Sequence, residues 1–410
     1  MDNAVTNLNN TKSYDFIIAG AGCAGLSLLF HLLQSTTLRG KRVLVIDKNF
    51  KKSNDRTWCY WEDTAGTFEQ LVCKKWDTIT IHNGPLSKTL PTAPFTYKMV
   101  QGIDYYQYII NLAKQHLNIT WQEGLITKIT TTGTIGTVHL EGGATESATS
   151  VFSSIVPIRF QVNFSDINNK FNAAITNTST PFLWQHFKGI LVEFDTSVFN
   201  ANEARLMDFN VPQMGATAFM YILPLTANKA LVEYTLFSEE ILKKEDYDIV
   251  LKEYLANFIK NIAPNAQYKV VHEELGAIPM THHSFGNNKA PIYSIGTLSG
   301  AVKASTGYAF QFIQAQSKQI ISQLEKGALV NTDMHNSRHR FYDAVLLYIL
   351  KHKKMEGKEI FSRIFKKNKA ATIFKFLSNT SSLMDDINVM RSLPTRIFLP
   401  AALRILFRRP

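Results

Sequence analysis

Two carboxyl groups stand among apolar and aromatic neighbours. Glu233 lies in Leu231-Val232-Glu233-Tyr234-Thr235, and Asp208 in Leu206-Met207-Asp208-Phe209. Burial disfavours the charged form of an acid, so a carboxyl walled by such residues keeps its proton. To stay protonated at neutral pH, a glutamate needs a rise of about 3 units from a reference near 4.3, worth about 4 kcal/mol. Glu233 is therefore a candidate proton donor. Asp208 is a candidate partner base or stabiliser of positive charge. Pattern alone equally allows Glu233 a solvent-facing strand position and Asp208 a turn. Trp58, Tyr60 and Trp61 fall within four residues of one another. Aromatic faces attract cations through their quadrupole. These three, with Tyr221 and Tyr308, are candidate walls for a site where positive charge develops, with core packing as the competing reading.

A second group of residues is suited to phosphate. Gly20-x-Gly22-x-x-Gly25 follows the apolar run Tyr14–Ala19 and opens a helix reaching about Gln34. It is answered by Asp47, 22 residues beyond Gly25, at the end of a second apolar run, Arg42–Asp47. In this context Gly20 permits a tight turn, Gly22 lets backbone approach a pyrophosphate, and Gly25 lets helix and strand pack closely. The helix N-terminus offers free N–H groups to the phosphates, and Asp47 can accept both ribose hydroxyls. The motif does not separate FAD from NAD. Position does, because mixed strands rather than a regular βαβαβ half follow Asp47. A second strand–glycine–helix element then returns late, as Tyr293-Ser294-Ile295-Gly296-Thr297-Leu298-Ser299-Gly300 and Ser305-Thr306-Gly307-Tyr308-Ala309-Phe310. An FAD-binding domain closes on its flavin in this way. The late helix would turn its positive end toward the flavin N1/O2 edge and favour a reduced, anionic ring.

These residues need a folded scaffold, and composition supplies one. The chain has 410 residues, 45% of them hydrophobic and 19% charged, which excludes disorder over most of its length. Three cysteines, Cys23, Cys59 and Cys73, are too few for a disulfide framework and fit a reducing cytoplasm. No Cys spacing suggests zinc, and the adjacent His282 and His283 would point apart on a strand, so no metal is expected. Residues 1–13 are polar, and no secretory leader is expected there. Phe16–Leu33 is long and apolar enough to imitate a membrane span, but its glycines read better as strand, turn and helix. Further strands are expected at 76–82, 88–97, within 119–164, at 189–195, in a hairpin at 217–236, and at 293–295. Helices are expected at 105–116, 239–262 and 307–326, and throughout the chain from Ser337.

In sequence the four signatures resemble the bacterial lycopene β-cyclase family. They are the glycine fingerprint with Asp47, Asn54-Asp55-Arg56-Thr57-Trp58-Cys59-Tyr60-Trp61-Glu62, Phe219-Met220-Tyr221-Ile222-Leu223-Pro224-Leu225 with Ala230–Thr235, and the late glycine element. The likeness covers about residues 14–325. It implies an α/β fold, FAD/NAD(P)-binding and Rossmann-like of the flavoprotein monooxygenase type, with a β-rich substrate domain and a helical C-terminal tail. The FAD-binding domain is expected at 14–75, 100–160 and 285–327, the substrate domain at 76–99 and 161–284, and the tail at 328–410. It also implies a non-redox isomerisation, in which the ψ ends of lycopene, or of a partly cyclised carotenoid, close into β-ionone rings. Glu233 would be the acid, and Arg56, Gly296, Gly300 and Gly307 would join the fingerprint in holding FAD. Reduced FAD would stabilise a carbocation by charge, with NAD(P)H as reductant. A flavin monooxygenase or an isoprenoid reductase on the same fold is the alternative.

The net charge of +11 resides in the tail. Residues 338–410 hold 16 Lys and Arg against 5 acids, while the first 337 residues balance 28 with 28. A whole-protein nucleic-acid binder would not concentrate charge that way, so no nucleic-acid partner is expected. Basic helices carrying Phe341, Leu346, Leu347, Ile349, Phe361, Ile364, Phe365, Phe374, Phe376 and Leu377 are instead expected to meet the inner face of the cell membrane.

Overall fold

Residues 14–155 and 181–407, apart from Ser284, Gly286, Asn287 and His335, are described by a computed structural model. The expected strand residues 156–164, part of the substrate domain at 161–180, and Arg408 and Arg409 lie outside the described residues.

Tyr14–Ala19 runs through the middle of the first sheet, with Ile17, Ile18 and Ala19 wholly buried. It pairs in parallel with Val43–Asp47 on one side and Thr145–Ser153 on the other. Ile119–Glu123 extends the first side and Ile292–Ser294 the second, both in parallel. Strands covered on both faces carry continuous apolar runs, which explains the lack of alternation in Val43–Ile46. Helices α1 (Cys23–Gln34) and α2 (Gly102–Ala113) belong to the core on one face. The long apolar run at 16–33 is thus a strand and a helix. Among the described residues no helix is long and apolar enough to cross a membrane.

A second sheet has seven strands, in the order Tyr268–Met280, Leu183–Phe194, Lys229–Ser238, Thr217–Pro224, Glu203–Asp208, Thr78–Asn83 and Leu86–Pro91. Helix α3 (Lys244–Ile262) covers one face, packing Tyr247 and Leu251 with Met220, Val232 and Tyr234. Strand alternation sends Tyr221 and Glu233 to the other face. A three-stranded sheet of Thr57–Glu62, Thr96–Gln101 and Val72–Trp76 contributes to both large cores. In the seven-stranded sheet Glu203–Asp208 and Tyr268–Met280 have no counterpart in the sequence reading, and in the three-stranded sheet Thr57–Glu62 has none.

Helix α4 (Phe310–Glu325) lies against α1, and their contact is polar as well as apolar. Gln314 donates to Ser27 at 2.8 Å and to Tyr105 at 3.0 Å. The tail forms α5 (Ser337–Lys351), α6 (Gly357–Lys367), α7 (Ala370–Leu377), α8 (Leu383–Arg391) and α9 (Thr395–Phe407). The apolar residues of α5 to α7, expected to face a membrane, instead pack inward on the second sheet. Leu347, Ile349, Phe361, Phe365 and Phe374 are buried there. An apolar stripe at helical spacing seeks any dry surface, and the open face of the sheet supplies one within the molecule. A buried ion pair ties the tail down, with Lys303 Nζ 2.8 Å from Asp343 of α5.

Candidate active site

One cavity of about 1460 Å³ runs from the glycine turn, over the open face of the second sheet, to the tail helices. At the first end, Gly20 has φ +101°, and a Cβ on Gly25 would sit 1.9 Å from the Gly20 carbonyl oxygen. Only glycine fits either position. Gly22 differs, since a Cβ there meets nothing within 4 Å and the residue lines the cavity. Asp47 also lines it and accepts the Ala21 N–H at 2.6 Å, which fixes the carboxylate beside the turn.

The late element lies alongside because Ile292–Ser294 pairs with Val151–Ser153. Gly296 has φ +66°, and a Cβ on it would lie 2.5 Å from Ala24 Cβ, so it packs against the first turn of α1. Gly300 has φ +83° and ends a short 3-10 turn. These two and Gly25 shape the cradle without lining it, whereas Thr297, Ser305, Gly307 and Tyr308 do line it. The buried oxygens Gln185 Oε1 and Thr306 Oγ1, both in the cavity wall, have no hydrogen-bond partner. Buried polar atoms are normally paired. Two orphans beside the N-terminus of α4 suit a polar ring edge, so the residues present fit a dinucleotide with its flavin against α4.

The buried carboxyls of the cavity sit on the second sheet. Tyr221 is in register with Glu233, Glu233 with Gly189, and Gly189 with Glu274. Partners in one row point to one face, so two carboxyls flank a residue with no side chain, on strands about 10 Å apart. Glu274 leans into that gap, with its Cγ 3.0 Å from where a Gly189 Cβ would be. Thr235 donates to Glu233 Oε1 at 2.6 Å, and Thr57 to Glu274 Oε2 at 3.0 Å. Burial, then the charge of Glu274, pushes Glu233 up to about 8. Burial lifts Glu274 to about 7, opposed by the Thr57 hydrogen bond and the Arg56 charge. The two carboxyls titrate as a pair, and the Arg56 charge beside Glu274 favours the ionised form there.

Arg56, Trp58, Tyr221 and Tyr308 line the cavity, and Cys59 stands with them. Of the expected catalytic and aromatic residues, three do not. Tyr60 stacks on Phe310 at 4.8 Å, behind the wall. Trp61 stacks on Phe374 of α7 at 4.4 Å and donates to Ser378. Asp208 is the largest correction. It is buried with Arg205 at 3.1 Å and Tyr254 of α3 at 2.7 Å, and its neighbours Leu206 and Met207, but not Asp208 itself, line the cavity. The second carboxyl of the site is Glu274, on a strand the sequence reading omitted.

Glu274→Gln removes the neighbouring charge that helps hold the proton on Glu233. The Glu233 carboxyl should then lose its proton at lower pH than in the wild type. The infrared band of the protonated carboxyl, followed against pH, checks this, and an unmoved midpoint would uncouple the pair.

Comparison with known proteins agrees with this architecture. The profile of the family described as lycopene cyclase protein matches residues 15–402. A search of curated proteins finds no match. A flavoprotein/dehydrogenase from Cytophaga hutchinsonii superposes with TM-score 0.58 at 11% identity, over 97% of this chain and 99% of its own. The p-nitrophenol 4-monooxygenase PnpA from Pseudomonas putida DLL-E4 gives 0.57 at 14% identity, with 97% and 99% covered. HpxO of Klebsiella pneumoniae, complexed with FAD and uric acid, gives 0.58 at 11% identity, with 89% and 96% covered. The fold is thus the FAD-linked, Rossmann-like fold of flavoprotein monooxygenases.

Proposed function

The chain belongs to the lycopene cyclase family, and from that premise we propose that it binds FAD and closes the ψ ends of lycopene into β-ionone rings, giving γ-carotene and then β-carotene. The observation that carries this reading is the Glu233–Glu274 pair, set in one apolar cavity that joins the glycine cradle to the chamber beneath the tail helices. Ring closure neither gains nor loses atoms. Glu233 gives its proton to a terminal C=C bond, and the tertiary cation so formed is attacked by the next double bond. Glu274 takes a ring proton, which creates the ring double bond. Exchange with solvent between turnovers reprotonates Glu233 and deprotonates Glu274, which restores the starting state. Trp58, Tyr221 and Tyr308 present aromatic faces to the cation. The tail helices exclude water that would otherwise trap it. Gly20, Gly22, Gly25 and Asp47, with Gly296, Gly300, Gly307 and Arg56, form and flank the FAD cradle. Bound in its reduced form, FAD supplies fixed negative charge beside the developing cation, and NAD(P)H is the proposed reductant. The proposed location is the cytoplasm, peripherally at the inner face of the cell membrane, through the basic tail.

Incubation of purified protein with lycopene, FAD and NAD(P)H, followed by pigment chromatography, tests the reading. Cyclic carotenes should appear, with far less NAD(P)H consumed than rings formed. One NAD(P)H per product, with oxygen or hydrogen added, would make the protein a monooxygenase or reductase instead.

A further inference from the structure

Sixteen large hydrophobic side chains are exposed among the described residues, and eight of them fall within residues 383–407. They are not scattered. On α8, Leu383, Met384, Ile387 and Met390 share one face, at spacings of one, four and seven residues. On α9, Leu399, Leu403, Leu406 and Phe407 follow the spacing i, i+4, i+7, i+8. Helix α9 already has a buried stripe, in which Ile397, Ala401 and Ile405 pack into the core. An amphipathic surface helix needs one apolar face; α9 has two, and the outer one is uncovered.

Two residues of this patch link it to the interior. Met390 and Leu399, 41% and 53% exposed, also line the cavity that contains Glu233. The patch is therefore the apolar rim of an opening. Its exposed charges are mainly positive. Arg391, Arg396 and Arg404 stand exposed on the same two helices, while of the two acids of α8 the half-buried Asp385 is engaged in capping the helix and Asp386 is buried against Arg338. An apolar stripe flanked by arginines matches a bilayer with anionic headgroups, where the stripe enters the acyl boundary and the arginines meet the phosphates.

We infer that α8 and α9 form a portal that seats on an anionic lipid bilayer, so that an apolar substrate passes from the acyl region into the cavity without crossing water. This rests on the carotenoid reading for its cargo. Its docking surface rests on the helices alone.

The test uses the full chain with FAD and vesicles of phosphatidylglycerol with phosphatidylcholine. Leu403→Glu with Leu406→Glu changes side chains that are exposed and lie outside the cavity wall, so the fold and FAD content should hold. The double variant should co-sediment with vesicles more than about tenfold less than wild type. Added salt should weaken wild-type binding, because screening shortens the reach of the arginines. With Leu406→Trp, tryptophan emission should shift to the blue and be quenched by lipids brominated in their acyl chains. If the cavity acts on carotenoid, the double variant should lose turnover of substrate held in vesicles and keep turnover of substrate held in detergent micelles. No turnover in either medium, with the sedimentation difference intact, would sink the carotenoid reading and leave the bilayer portal standing. Equal sedimentation of variant and wild type would overturn the portal. So would a wild-type dimer in solution that the double variant converts to monomer, since a second copy would then cover the stripe.

Discussion

Glu233→Gln is expected to abolish ring closure while leaving FAD and substrate bound. The amide keeps the size of the carboxyl but cannot donate a strong-acid proton, and loss of a positioned general acid costs about a thousandfold in rate. The same substitution should stabilise the fold. In the folded chain, burial and the charge of Glu274 raise the Glu233 pKa from 4.5 to about 8. Below the first value both folded and unfolded chains hold the proton. Between the two, the unfolded chain releases a proton that the folded chain keeps, so stability falls as pH rises through that window. The variant escapes this loss, so its Tm advantage should be absent near pH 4 and grow toward pH 8. A variant both inactive and less stable than wild type would indicate a merely structural glutamate. Asp208→Asn supplies the contrast, because it disturbs a buried pair with Arg205 and should lower Tm while leaving turnover per folded molecule near wild type.

Gly22→Val should yield a folded protein without FAD. The space beyond Gly22 is open cavity, where an added Cβ has no protein atom within 4 Å, so the fold should tolerate the substitution. It does fill the place where the pyrophosphate would approach the backbone. The ratio of flavin absorbance to protein should fall to background, with circular dichroism unchanged. Full FAD occupancy would place the pyrophosphate elsewhere. Gly25→Val should behave differently. Its Cβ would overlap the Gly20 carbonyl oxygen and Ile18, so it should impair folding itself.

The cofactor cradle was legible in the sequence because a parallel strand, a glycine turn and a helix N-terminus each demand particular residues at fixed spacing. Glu233, the proposed acid, stood out in the sequence as a carboxyl in an apolar run. Its partner did not. Glu274 lies on Tyr268–Met280, an edge strand whose first half faces solvent and carries Lys269, His272 and Glu273, so it lacks the apolar signal of a strand. The pairing also depends on Gly189, whose missing side chain matters only once three strands are in register. Asp208 misled for a different reason. The strand bearing it shifts register between Arg205 and Asp208, and a bulge turns the following side chains to the other face. Simple alternation cannot locate such a shift. In the tail, helical spacing marked the apolar stripes correctly. Whether a stripe faces the protein or the outside depends on what lies opposite, and that emerges only in three dimensions.

The central claim is that a ring closes by proton transfer from Glu233, without net redox chemistry. The most direct measurement is the mass of the products formed by purified protein from lycopene in deuterated water. Glu233 exchanges its proton with solvent, so each closure should place one deuterium in the ring. γ-Carotene should be one mass unit heavier than the same product made in ordinary water, and β-carotene two. Cyclic products without solvent deuterium, or products heavier by an oxygen atom or by two hydrogens, would contradict it.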